Sequence, residues 1–149
     1  MVRLGYGGLA NTGAGSGAFG ASYADMAVLV QLSNLSADSD EECGVSFRKT
    51  DASNFLCAYV DDGDNLLHLS RFDAGAETSI ATAAWTPANT AEILVIAQQD
   101  RIRVWLDYVL RIDATCSSFL TAAKAGLFSR STTAVKFGPF YAQMLSEVA

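Results

Sequence analysis

The chain has 149 residues, half of them apolar and 17% charged, with a formal net charge of −6. That length is one domain's worth, enough to bury roughly two-thirds of its unfolded surface without help from a metal or disulfide. The acidity and the lack of clustered Lys and Arg argue against nucleic acid or anionic lipid as partner, and no apolar run approaches the ~20 residues of a membrane-inserted helix.

Seven of the twelve glycines lie before residue 21, which marks residues 1–20 as a glycine-rich N-terminal arm and residues 21–149 as the folded domain. Within the arm, Gly15, Gly17 and Gly20 match a dinucleotide-binding glycine pattern, but no strand precedes it and no helix follows, so nucleotide binding is not supported. The opening residues lack the apolar core of a signal peptide. From there strands are expected over 24–33, 43–50, 54–60, 65–72, 78–84, 91–98, 101–107, 109–113, 125–130 and 134–142. Turns at Asp62-Gly63, Asp73-Ala74-Gly75 and Gln99-Asp100 separate several of them. Only Ser117 to Lys124 suggests a helix, and a short one. Many short strands at close spacing predict an all-β fold of two antiparallel sheets.

Strand alternation assigns the faces. Pairing Lys49 with Asn54 puts Cys43, Val45 and Phe47 on one face with Leu56, Ala58 and Val60, and sends Cys57 to the other. Cys43 and Cys57 are therefore not expected to form a disulfide, and the third cysteine leaves an odd count. Pairing Val60 with Asn65 leaves Phe55, Cys57 and Tyr59 beside Ser70, His68 and Leu66 on the second face, with Arg48. Later in the chain Ile102, Val104 and Leu106 point inward, and Arg103, Trp105 and Arg111 point outward.

The order of "VSFRKTDASNFLCAYV", "LLHLSRFDAG", "AEILVIAQQDRIRVWLDYVLRIDA" and "AGLFSRSTTAVKFGPFYA" resembles the concanavalin A-like lectin/glucanase superfamily, in its laminin-G-like branch. The resemblance rests on Phe47-Arg48, the Asp51-x-x-Asn54 turn, Phe55, Gly126-Leu127 and the paired Phe137 and Phe140. It implies a two-sheet jelly-roll sandwich. The chain departs from the pattern at Asp107-Tyr108, where an Asn-Gly turn is usual, and at Gly138-Pro139, where Asp-Asn is usual.

The glucan-cleaving members carry a Glu-x-Asp-x-x-Glu strand, because retaining hydrolysis needs two carboxylates about 5–5.5 Å apart. That motif is missing, and a single histidine gives no basis for a triad or a two-histidine metal site. A non-catalytic, lectin-like binding module that recognises carbohydrate on a surface is the first expectation. Its candidate ligand residues are Arg48, Tyr59, His68, Arg103, Trp105 and Arg111, since aromatic rings beside Arg and His suit both the C–H face and the hydroxyls of a sugar. They also suit a protein hot spot. The alternative is a structural subunit of a virus or phage particle. The low charged fraction predicts a homo-oligomer or larger assembly in either case, at a virion or cell surface. Asp61, Asp62 and Asp64 are candidate calcium ligands, against the plainer role of turn formers. No other cofactor is expected.

Overall fold

The computed structural model describes residues 23–35, 41–130 and 135–145. The glycine-rich arm expected at 1–20 lies outside the described residues. The described chain forms ten strands: β1 (Met26–Ser33), β2 (Glu42–Asp51), β3 (Asn54–Asp61), β4 (Leu66–Asp73), β5 (Ala76–Ala84), β6 (Thr90–Gln98), β7 (Arg101–Leu106), β8 (Val109–Thr115), β9 (Lys124–Ser129) and β10 (Lys136–Met144). They make two antiparallel five-stranded sheets, ordered β9-β2-β3-β4-β5 and β10-β1-β6-β7-β8. The sequence expectation of an all-β two-sheet sandwich therefore holds.

The inner faces follow from alternation. Val28, Val30 and Leu32 of β1, Ile93 and Val95 of β6, and Ile102 and Val104 of β7 are buried against Val45 and Phe47 of β2, Leu56, Ala58 and Val60 of β3, and Leu67 and Leu69 of β4. Burying each larger side chain contributes ~1.5–3 kcal/mol. Cys43 belongs to this inner core and Cys57 to the opposite face of the same sheet, and both thiols are free.

Three local expectations need correction. First, no helix forms over 117–124: residues 118–121 are turns, and Phe119 has φ 56°, outside the helical region. Second, the β2–β3 pairing keeps the expected register from Cys43↔Val60 to Phe47↔Leu56, then shifts so that Asp51 faces Asn54. The shift is a bulge. It places Arg48 at φ 45° and turns its side chain to the inner side of the sheet. Third, β3 and β4 pair two residues further along than expected, with Val60 opposite Leu67, because residues 62–65 form a longer loop. A slip of two keeps every residue on its face.

The Asp51–Asn54 turn is fixed by side chains. The Asp51 carboxylate accepts from the Ser53 N–H (2.8 Å) and the Asn54 amide (2.9 Å), and Asn54 Oδ1 accepts from the Ala74 N–H of the neighbouring turn (2.8 Å). These are the Asx contacts for which Asp and Asn are favoured in turns. Among the described residues no helix is long and apolar enough to cross a membrane.

Candidate functional site

The outer face of the β9-β2-β3-β4-β5 sheet carries a second, smaller apolar cluster. Phe128 of β9, Gly44 of β2, Tyr59 of β3 and His68 of β4 stand opposite one another in a row across the strands. Gly44 has no side chain, so the Phe128 and Tyr59 rings meet over it with centroids 5.0 Å apart. A Cβ at Gly44 would lie 2.0 Å from the Ala58 carbonyl oxygen, so no other residue fits. Tyr59 and His68 stack at 4.8 Å and 7°, and further along the face Phe55 and Phe72 stack at 4.7 Å and 17°. Between the two pairs run the smaller residues Ser46, Cys57 and Ser70.

Arg130 lies across this floor. Its guanidinium sits 5.4–5.5 Å from the ring centroids of Tyr59, Phe72 and Phe128. One terminal nitrogen donates to Glu77 Oε1 at 2.9 Å; the other donates to Glu42 Oε1 at 2.6 Å and to the Tyr59 hydroxyl at 3.0 Å. The Tyr59 hydroxyl donates in turn to Glu77 Oε2 at 2.6 Å. The result is a closed frame of two carboxylates, one phenol and one guanidinium above an aromatic base. Charge-assisted bonds of this kind are roughly twice as strong as neutral ones, and cation–π contact adds to the hold.

The frame sets its own protonation. Burial opposes the charged form of Glu77, but the bonds from Tyr59 and Arg130 outweigh it and keep the carboxyl below its ordinary value. Burial, then the hydrogen bond to and charge of Glu77, push the Tyr59 phenol well above its ordinary range. Around neutral pH the frame therefore presents fixed acceptors and fixed donors side by side.

The six ligand residues expected from the sequence do not form one site. Tyr59 and His68 do meet. Tyr59 is only 2% exposed, so it acts as the base of the site, while His68 is partly open and bonds Asp64 Oδ2 through Nε2 at 2.8 Å. Arg48 is fully buried at the other side of the sheet, where its Nε donates to the Ala24 carbonyl at 3.1 Å and a terminal nitrogen pairs with Asp25 at 3.5 Å. It is a structural residue, removed from the outer face by the bulge. Arg103 and Trp105 contact each other on the outer face of the opposite sheet, 5.5 Å from guanidinium to ring, and Arg111 donates to the Ala84 carbonyl at 2.7 Å. Those three lie apart from Tyr59.

Of the calcium candidates, Asp62 accepts from the Glu41 N–H at 2.7 Å. Asp61 and Asp64 instead converge with His68, their ligand atoms within 4.8 Å of one another. Asp61 also accepts from the Gly63 N–H, and Asp64 from the Leu66 N–H, as turn formers do. Two carboxylates and an imidazole fall short of the six to eight oxygens calcium takes.

Glu42, Glu77 and Arg130 were not expected as site residues, because both glutamates lie at or next to the start of their strands and Arg130 follows the last residue of β9. One signal was available: Phe128 and Arg130, two apart, share a strand face.

No family model and no curated relative matches the chain. Solved structures do. The carbohydrate binding module CBM66 from Bacillus subtilis superposes with a TM-score of 0.70 at 24% identity, over 83% of this chain and 77% of the module. Sheep galectin-11 gives 0.61 at 10% identity, over 83% of this chain and 92% of the galectin. The GH43 protein BlXynB from Bacillus licheniformis gives 0.62 at 12% identity, but 83% of this chain spans only 28% of that one. The chain shares the two-sheet antiparallel β-sandwich fold of that carbohydrate binding module and of galectin-11.

Proposed function

We propose that the protein is a non-catalytic carbohydrate-binding module that holds a neutral sugar on the outer face of the β9-β2-β3-β4-β5 sheet. The observation that carries this assignment is the Glu42–Arg130–Glu77 frame over Tyr59, Phe72 and Phe128. Sugar hydroxyls both donate and accept, so they need donors and acceptors fixed close together, as this frame offers. One guanidinium against two carboxylates leaves an excess of negative charge, which disfavours anionic ligands. His68 and Asp64 extend the polar edge beside the frame. The fold supports the same class of ligand, and the enzyme likeness concerns a small part of a much longer chain.

The test is an array of neutral and acidic glycans probed with the full chain and with Arg130→Ala. Binding to neutral glycans, lost at least tenfold in the variant, supports the assignment. Binding only to acidic glycans, or binding that survives the substitution, contradicts it.

A specific observation favours a second use, the structural subunit of an assembly. On the outer face of the other sheet, Tyr141, Leu29, Leu94, Trp105 and Leu110 stand opposite one another from β10 to β8. Tyr141 is 63% exposed and Leu110 45%. An apolar row of this kind suits a subunit contact. Light scattering separates the two uses: a monomer at tens of micromolar removes the assembly, and a stable oligomer that Trp105→Ala dissociates supports it.

A further inference from the structure

The turn between β7 and β8 contains a residue choice that neither backbone nor packing explains. Asp107 and Tyr108 have φ 49° and 69°, so both central residues of a two-residue hairpin turn are left-handed. Asn-Gly adopts that turn most readily. Asp107 has a structural reason to be there: its Oδ1 accepts from the Glu92 N–H at 2.8 Å while its own N–H donates to the Glu92 carbonyl at 2.9 Å. Tyr108 has none. It bears the strain of a positive φ and is 83% exposed, so burial returns nothing. Strain carried by an exposed aromatic side chain points to function.

Tyr108 stands at the wall of a cleft of about 460 Å³ on the outer side of the β10-β1-β6-β7-β8 sheet, within the roughly 300–1,000 Å³ of ordinary small-ligand sites. Leu32 of β1, Ala91 of β6, and Gly138 and Pro139 of β10 also line it. There the Glu92 carboxylate accepts from the Gln31 amide at 2.9 Å. Glu92 also acts on the Tyr108 phenol, through its charge and by accepting its hydrogen bond. A Cβ at Gly138 would come within 3.2 Å of the Gln31 carbonyl oxygen, so the glycine lets β10 lie close to Gln31. The two dipeptides at which the sequence departs from the pattern it resembles, Asp107-Tyr108 and Gly138-Pro139, thus line the same cleft.

We infer that this cleft is a second binding site for a neutral sugar unit, with Tyr108 as the aromatic wall and the Glu92–Gln31 pair as its acceptor and donor. Among the described residues two carboxylates, Glu92 and Asp107, and no cation line it, which disfavours an anionic ligand. The inference rests on the carbohydrate assignment for its class of ligand but shares no residue with the first site. The two sites lie on opposite faces of the sandwich, so one molecule can bridge two glycan chains.

The test titrates the ¹⁵N-labelled full chain with neutral fructo-, xylo- and galacto-oligosaccharides and follows backbone amides. The expected result is a shift of Glu92, Asp107 and Tyr108 separate from a shift of Tyr59, His68 and Glu77. Tyr108→Gly removes the ring and suits the turn, so it should keep or raise Tm, weaken the first set of shifts at least tenfold and leave the second set alone. Shifts confined to Tyr59, His68 and Glu77 overturn this inference and leave the proposed function standing. Shifts confined to the cleft do the reverse. A Tm lowered by Tyr108→Gly, or cleft shifts unchanged in that variant, also overturns the inference, and no shift with any of the three probes overturns both.

Discussion

Arg130 donates to Glu77 at 2.9 Å although Arg130 follows one edge strand, β9, and Glu77 belongs to the other, β5. On a flat sheet those edges would be roughly 19 Å apart, four spacings of roughly 4.8 Å, farther than an arginine and a glutamate span end to end. The sheet is therefore curled toward its outer face, and the Arg130–Glu77 pair closes over the concavity. Twist and coiling of this kind are normal in antiparallel sheets; here they assemble a site from residues on five strands.

Arg130→Ala should reduce affinity for a neutral glycan by about 1.4–3 kcal/mol while costing only about 1 kcal/mol of stability, because its ion pairs are partly solvated. Leu56→Ala on the inner face should do the opposite, costing about 2–5 kcal/mol of stability through cavity formation. Chemical denaturation and a binding titration on both variants check the contrast.

Tyr59 separates ring from hydroxyl. Tyr59→Phe keeps the contacts with His68 and Phe128 and removes one hydrogen bond each for Glu77 and Arg130, for a stability cost of about 1 kcal/mol. Tyr59→Ala opens the second cluster and should cost about 3–5 kcal/mol, as buried aromatic truncations do. Equal costs for the two variants in a urea titration would contradict the packing described for the ring.

Glu77 contributes a definite pH dependence. Its folded pKa is held below the ordinary value of 4.5, so its contribution is fully present above that value and is lost as pH falls through 4.5 toward the lowered folded value. Glu77→Gln should flatten the acid limb of the stability curve over that window. An unchanged limb in the variant would show that Glu77 does not ionise in the frame.

The cysteines should differ in reactivity. Burial, aided by Glu41 and Asp62, pushes the Cys43 thiol up to about 12, and burial pushes Cys57 up as well. Cys116 is partly exposed. A thiol reagent near neutral pH should label one site in the folded protein and three after denaturation, since the thiolate is the reacting form. A mapped Cys43–Cys57 disulfide would invalidate the assignment of those residues to opposite faces.

Much of the fold was legible because alternation was strong where one face is core: β1, β6 and β7 alternate buried and more open residues almost without exception. Strand bounds fell within two residues of expectation. β2 and β3 were harder, since Phe55, Cys57 and Tyr59 are buried as well and both faces read as apolar. The Arg48 bulge has no glycine to announce it, so strict alternation carried Arg48 to the wrong face. Alternation alone put Tyr59 and His68 on one face, although the expected pairing set His68 opposite Cys57 and the observed one sets it opposite Tyr59. Arg130, Glu42 and Glu77 could not be brought together that way, because their meeting depends on the curl of the whole sheet and not on any local period.

A neutral sugar on the concave face would be held by Arg130, Glu77 and His68. Calorimetric titration of the full chain with the neutral oligosaccharide preferred on the array, repeated with Glu77→Gln and His68→Ala, tests this most directly. Both variants should keep the fold and lose affinity at least tenfold, about 1.4 kcal/mol. Unchanged affinity in both, with the fold intact, would contradict it and move recognition off this face.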